Sequence, residues 1–252
     1  MKKIFFLITL LFLIASNVQA SENKGNVKDC FEGLNRGVFA LNQALDGIIF
    51  EPLAKGYRLL PSPVRTGTSN VLSNISNLVV IPNNVLQAEL GSAINNTLRL
   101  VINTTLGIVG IFDVASLMGL EKLEKEDYGQ TLAKWGMGPG CYIVLPVLGP
   151  STARDTLGTL VNYMGGDPWY NITVRNDTNY FKDSDYYFSK MTSGVDFRAK
   201  NIESFDSVEE NSIDFYASIK SLYLQDRERR ISNSEETTDT LDDSEWEEIE
   251  TN

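Results

Sequence analysis

The chain contains no histidine. Ser-His-Asp and Cys-His nucleophilic machinery is closed to it, and the commonest metal ligand is missing. The groups left for chemistry are two cysteines, Cys30 and Cys141, and scattered serines, lysines and carboxylates. No Ser-Lys pair and no carboxylate pair forms a convincing catalytic set. Asp183-Ser184-Asp185 resembles a fragment of a calcium loop, but it lacks the later ligands and the glycine and reads as a solvated turn. The two cysteines either form a bridge or stay as unpaired, partly buried thiols; a single pair leaves both open. No catalytic residue, metal or cofactor is expected.

The remaining signals are physical. From Asp127 to Asp155 the chain reads DYGQTLAKWGMGPGCYIVLPVLGPSTARD. Glycines and prolines at this density mark turns. Between them lie Trp135, Met137, Tyr142, Ile143, Val144, Leu145, Val147 and Leu148. An apolar loop needs a partner to bury it: the protein's own core, another protein, or lipid. A second signal is Leu98 to Leu120, an apolar stretch interrupted by Arg99, Asn103, Thr104, Thr105 and Asp113. Charges at bilayer depth are costly, so a plain crossing helix is not expected there. The polar groups either face a headgroup path or cap and pack.

Composition places these signals in an exported chain. Lys2 and Lys3 precede the apolar run Ile4 to Ile14, which is followed by Val18-Gln19-Ala20. This is the pattern of a secretory leader cut after Ala20, and the run is too short to span a bilayer, which takes ~20 residues. The formal net charge of −11 is misleading. Nine carboxylates crowd the last 18 residues, with no lysine or arginine among them. Without these and the two leader lysines, 33 acids fall to 24 and 22 bases to 20. No basic stripe of the kind nucleic acid requires is present. The tail reads as a disordered, solvated run. Cys30 follows Val27-Lys28-Asp29, well past the apolar run, so it is not read as a lipidation site.

Hydrophobic spacing predicts mainly helices. Phe31 to Ile49 carries apolar residues at threes and fours, with Asp29 as expected N-cap and Glu32 completing a capping box. Pro52 is expected to interrupt or close this helix. Pro61-Ser62-Pro63 is a break, with Ser62 as cap, and Pro82 is expected to stop the helix that follows. Ser92 to Leu106 reads as a helix, Ile111 to Leu120 as a short apolar one, and Leu123 to Asp127 as charged and exposed. Thr131 to Trp135 is a helical turn, Tyr142 to Leu148 a strand-like arm, and Thr152 to Tyr163 a helix capped by Ser151 or Thr152. The aromatic stretch Trp169 to Phe188 is not assigned. Val195 to Phe205 and Ser207 to Arg230 read as two helices. No βαβ alternation or repeat appears.

Three stretches together resemble the MlaA/VacJ family of outer-membrane phospholipid-transport proteins. They are Glu32-Gly33-Leu34-Asn35-Arg36 with Asn42; Asn103 to Ala115; and Tyr128 to Asp155, including Trp135-Gly136-Met137-Gly138-Pro139-Gly140, Leu145-Pro146 and Gly149-Pro150-Ser151-Thr152. The resemblance spans about Asp29 to Arg230. It implies a mainly α fold: a single ring-like bundle of amphipathic helices with a Gly/Pro-rich apolar hairpin. The expected domains are a leader (1–20), a linker (21–28), the helical domain (29–230) and the acidic tail (231–252). The family is non-catalytic and sits in the inner leaflet of the outer membrane of Gram-negative bacteria. Its channel moves mislocalised phospholipid inward to a periplasmic carrier, and it binds porin-like partners. Amphipathic helices lying in an interface fit such a role. The family is usually lipidated at a cysteine just after the leader's apolar core, a residue this sequence does not have there; proline is expected where Cys141 stands.

The resemblance implies that Trp135, Gly136, Gly138, Gly140, Tyr142, Leu145, Pro146 and Gly149 form a hairpin beside the lipid channel. Asn35, Arg36, Asn103, Asp113, Arg154 and Asp155 carry a structural or headgroup role. For Asp113 the alternatives are the lipid path, a helix cap or a buried pair. For Arg36 and Arg154 they are phosphate contact or ion pairing. For Trp135 and Tyr142 they are the bilayer interface or the core. Two other functions remain open: a soluble periplasmic lipid-binding protein, and a lipid- or wall-acting hydrolase.

Overall fold

Prolines and asparagines set how the helices begin and continue. In the structure, a computed structural model that describes residues 27–176 and 180–232, α1 runs from Glu32–Leu45. A π-helical turn at Asp46–Phe50 joins it to α2, Glu51–Arg58, with Pro52 in the first turn. Pro52 thus starts a helix, since its fixed φ suits a first turn. The leader (1–20), the linker up to residue 26 and the tail from residue 233 lie outside the described residues. Asp29 does not cap α1. Phe31 stands at the N-cap and makes no side-chain bond. Asp29 instead accepts from Asn35 at 2.7 Å, the Tyr216 hydroxyl at 2.5 Å and Lys220 at 3.3 Å. These donors outbid the helix end and hold its carboxyl below the usual range, although burial pushes it up.

The break at Pro61 is present and α3, Ser62–Leu86, follows it, but Ser62 makes no capping bond. Pro82 lies inside α3 and does not end it. Proline removes one helix bond. Here the Asn83 side-chain amide donates to the Val79 carbonyl at 2.8 Å, beside the gap. After a turn at Ala88 (φ 62°), α4 covers Leu90–Thr105. Only Val114–Leu117 forms α5, so the helix expected over 111–120 is much shorter. Ile108, Val109 and Gly110 take left-handed φ of 53°, 58° and 97° and turn the chain before it. Gly107 cannot be replaced: an added Cβ would lie 2.2 Å from the Phe112 carbonyl oxygen.

Helix α6 is Tyr128–Lys134. The expected arm is a hairpin: β1, Tyr142–Leu145, pairs antiparallel with β2, Gly149–Thr152, placing Tyr142 opposite Thr152 and Leu145 opposite Gly149. Thr152 caps α7, Ala153–Val161, as expected, accepting from the Asp155 amide. The aromatic stretch holds a π-helical turn (Asn162–Gly166), the three-residue α8 (Pro168–Tyr170), a second π-helical turn (Asn171–Arg175) and the start of α9, Asp183–Lys200. α10, Ile202–Asn211, and α11, Phe215–Ser232, complete the order; the segment read as one helix over 195–205 is the junction of α9 and α10.

Small residues and aromatics hold these elements together. α6 meets α7 at two glycines; a Cβ on Gly158 would sit 2.4 Å from the Gly129 amide nitrogen. α9 packs on α2 through Ala54 and Ala199, joined by Ile202 of α10. A second cluster gathers Tyr142, Val144 and Tyr216, with Tyr142 and Tyr216 edge to face at 6.1 Å. The hairpin docks on α1 by side-chain amides. Asn35 donates to the Tyr142 carbonyl (3.0 Å) and accepts from the Val144 amide (2.9 Å). Asn42, two turns on, does the same for Leu145 and Val147 (2.9 and 2.8 Å). Cys30 and Cys141, whose state the sequence leaves open, form a disulfide with Cα atoms 5.6 Å apart.

The bridge closes a loop with a sequence separation of 111 residues. Long loops gain most from closure, and about 2–4 kcal/mol is typical. The Cys30→Ser, Cys141→Ser double variant should unfold at a clearly lower denaturant midpoint, and dithiothreitol should shift the wild type to match. Coincident unfolding curves for the two proteins in oxidising buffer would contradict this.

Candidate functional site

Helices α3 and α4 are built opposite to those of a water-soluble protein. On α4 the buried positions are Ala93, Asn96, Arg99 and Asn103, while Leu90, Ile94, Leu98, Val101 and Leu106 are exposed. On α3 the buried set includes Asn74, Asn83 and Asn84, with Val64, Val85 and Leu86 outside. A buried amide without a partner costs free energy, so these side chains bond to one another. Asn96 donates to Asn84 at 3.0 Å, Thr131 to Asn83 at 2.7 Å, and Asn74 to Thr104 at 2.9 Å.

Within this polar interior lies a small cleft of about 30 Å³, partly open to solvent. α3 contributes Asn70, Ser73, Asn74 and Asn77; α4 contributes Asn96, Arg99 and Asn103; Asp113 and the segment 122–125 close the wall. Asn103 and Asp113, expected from the sequence, therefore come together here. Asp113 is both a cap and a buried pair. Both its carboxylate oxygens accept from one Arg99 guanidinium nitrogen at 2.8 Å, one of them also accepts from Asn103 at 2.9 Å, and it caps α5 through the Ser116 amide (3.3 Å) and hydroxyl (2.8 Å). Arg99 is 4% exposed and spends its other donors on Ser116 and the Leu120 carbonyl. Burial pushes the Asp113 pKa up, but the bonds from Asn103 and Ser116 and the Arg99 charge outweigh it and bring it to about 2.

The other expected residues occupy different places. Asn35 docks the hairpin, as described. Arg36 pairs with Glu32 (2.8 Å) and Asp214 (2.7 Å) and lies over the Tyr216 ring. Arg154 pairs with Asp155 at 3.0 Å, both buried. Asp155 also receives the Tyr223 hydroxyl (2.7 Å) and Arg227 (2.9 Å); these charges hold its carboxyl low against burial. Ion pairing, not an open phosphate seat, is what the geometry gives both arginines. Tyr142 is fully buried, so of its two alternatives the core is realised. Trp135 is 61% exposed and donates to the Leu86 carbonyl at 3.0 Å. Gly136 and Gly140 take φ of 91° and 69°, and Gly138 stands in open space. Leu145 and Gly149 are half-buried, while Pro146, Val147 and Leu148 form an exposed apolar hairpin tip. The residues that line the cleft do not include any from 135–149.

Sequence reasoning missed several members. Asn70, Ser73, Asn74 and Asn77 recur at helical spacing, and that polar stripe was the signal available for them. Lys125 sits in the segment 123–127, read as charged and exposed, and Lys122 just before it. Glu126 in the same segment is buried, contrary to that reading, because Gln87 (2.8 Å) and Gln130 donate to it; burial still raises its pKa. Arg227, in a stretch read only as a helix, clamps Asp127, Gln130 and Asp155. Among the described residues no cluster of His, Cys, Asp or Glu is placed to hold a metal ion.

The comparisons agree with this architecture. The family model described as MlaA lipoprotein matches residues 27–230. The chain belongs to the MlaA family. It is 31% identical over 222 residues to the intermembrane phospholipid transport system lipoprotein MlaA of Escherichia coli (strain K12), covering 86% of this chain and 82% of that one. An uncharacterized protein of Rickettsia bellii (strain RML369-C) is 36% identical over 207 residues, 81% of this chain and 77% of the relative. A chain solved under the words "Structural basis for maintenance of bacterial outer membrane lipid asymmetry" superposes with a TM-score of 0.66 at 29% identity, covering 79% of this chain and 97% of that one.

Removing Asp113's charge leaves the Arg99 guanidinium buried and unpaired. Asp113→Asn should cost about 3–5 kcal/mol, read by chemical denaturation. The acid limb follows the same pair. The folded pKa of about 2 lies below the ordinary 3.8, so folding favours the charged carboxylate. That contribution is complete above the ordinary value and fades as pH falls from about 4 through 2. In Asp113→Asn this part of the acid destabilisation should vanish; an identical stability loss over that window in both proteins would contradict the assignment.

Proposed function

We propose that this MlaA-family chain is a non-catalytic phospholipid-transport protein of the outer membrane. It takes mislocalised phospholipid from the outer leaflet through a polar passage and hands it to a periplasmic carrier, which maintains lipid asymmetry. The observation that carries this reading is the inverted amphipathicity around the cleft. Bonded amides and a buried ion pair face inward, and leucine, isoleucine and valine face outward. Headgroups need the first surface and acyl chains the second.

The exposed apolar faces hold the chain in the inner leaflet. Ile108 and Val109 are 59% and 62% exposed in a backbone conformation that β-branched residues rarely take. Such strain costs on the order of 1–3 kcal/mol per residue and persists where it serves a function. Here it turns apolar side chains outward, towards hydrocarbon. The hairpin tip at Val147 and Leu148 and the Trp135 ring add to that surface, while Tyr142 anchors the hairpin to the core. A porin-like protein beside the chain is the expected neighbour. Among the described residues no helix is long and apolar enough to cross a membrane, as suits a protein lying in one leaflet.

Cells lacking the chain should accumulate phospholipid in the outer leaflet, measured by acylation of lipopolysaccharide or by outer-leaflet phospholipase accessibility. Restoring the chain should reverse this, and an unchanged level in the deletion would refute the role. The chain should sediment with outer membranes and leave them only with detergent. Recovery in the soluble periplasmic fraction would favour a soluble lipid carrier instead.

A further inference from the structure

The cleft carries an uncompensated positive charge. Five of its lining residues are ionic: Arg99, Asp113, Lys122, Glu124 and Lys125. Arg99 and Asp113 neutralise each other, and Glu124 pairs with Arg229 outside the lining. Lys122 and Lys125 remain, and neither ammonium has an ion-pair partner among the described residues. The nearby carboxylates are committed elsewhere: Glu126 to Gln87 and Gln130, Asp127 to Arg227, and Asp196 to Lys200, Ser69 and Tyr57.

The local environment strengthens the attraction for an anion. Water reaches the Lys125 side chain, yet protein surrounds it closely enough that burial lowers its pKa. Both hold together for a group inside a solvated recess. The positive charges of Lys122, Lys200 and Arg230 push the same way, with only Asp196 opposing. An anion placed there relieves that repulsion where solvent screening is reduced. The opposite wall is uncharged and rich in hydrogen-bonding groups. Asn74, 5% exposed, holds its amide nitrogen to Thr104 and leaves its side-chain oxygen without a donor.

We propose that Lys122 and Lys125, facing Asn70, Ser73 and Asn77 across the cleft, seat the phosphodiester of a phospholipid headgroup in transit. This rests on the transport reading above. The lysines meet the phosphate oxygens as two point charges. Two ammoniums without a rigid bidentate fork suit transit, since the seat must release what it holds.

The test titrates the full exported chain, in a maltoside detergent, with dihexanoylphosphatidylglycerol, with dihexanoylglycerol as the phosphate-free analogue, and with inorganic phosphate. Wild type should bind the phospholipid, and the Lys122→Gln, Lys125→Gln variant should bind it roughly tenfold less tightly. Dihexanoylglycerol should not distinguish the two proteins, and Lys122→Arg, Lys125→Arg should keep the affinity. An unchanged unfolding midpoint in the glutamine variant shows that its loss is one of binding; among the described residues neither ammonium bonds to the fold. Equal phospholipid affinity in wild type and the glutamine variant would overturn the seat and leave transport standing. Failure of wild type to bind either lipid would overturn both. Inorganic phosphate displacing the phospholipid at matching concentrations would overturn the lipid assignment in favour of a free-phosphate site.

Discussion

A guanidinium taken out of water must find a carboxylate, and in this chain Arg99 finds Asp113. The pair spans the turn at 106–112 and fixes where α5 begins, because the same carboxylate caps that helix. It also orients Asn103, whose amide bonds Asp113 on one side and the Ala115 backbone on the other. With those groups drawn inward, the large side chains that α4 exposes are leucine, isoleucine and valine. The apolar exterior is therefore tied to the polar interior: one set of bonds decides the rotation of the helix about its axis.

Such an interior gains little from each bond, since water would have offered bonds as good. Its merit is that most of its members keep a partner when water is scarce, the Asn74 side-chain oxygen being an exception. The exterior is costly in water but not beside acyl chains, where leucine and lipid are equally apolar. The stability of this fold is thus conditional on its solvent. The hydrophobic clusters that do exist, around Tyr142 and around Ala54, lie away from the cleft lining and act as local fastenings.

Much of the architecture was legible because helices announce themselves by spacing. The helical class, the break at Pro61, the cap at Thr152 and the apolar hairpin follow from residue types. Errors arose where a local rule met a stronger distant partner. Asp29 is a good cap by type, but a phenol and an ammonium from α11 claim it. Pro82 should end a helix, but α3 continues through it, with the next asparagine's side chain bonded to the Val79 carbonyl beside the gap. The disulfide joins residues far apart in sequence, which spacing alone does not pair. The cleft was half visible: Asn103 and Asp113 stood out as polar interruptions of an apolar run. The stripe from Asn70 to Asn77 did not, because asparagine on a helix ordinarily reads as solvated surface. Lys122 and Lys125 were hidden by acidic neighbours, each of which turns out to face another partner or to lie outside the lining.

The docking of the hairpin on α1 has a consequence for solubility. A two-stranded sheet has two open edges, and an open edge invites pairing with another chain. Along β1 the outward backbone groups are already occupied: the Tyr142 amide by the Lys28 carbonyl, and the Tyr142 carbonyl, Val144 amide and Leu145 carbonyl by Asn35 and Asn42. Two amide side chains thus act in place of a third strand. They also pin the register, because a one-residue slip would turn Tyr142 and Val144 out of the core. A short apolar strand, hazardous in an unfolded chain, is kept from recruiting copies of itself by two residues of a helix more than a hundred positions away.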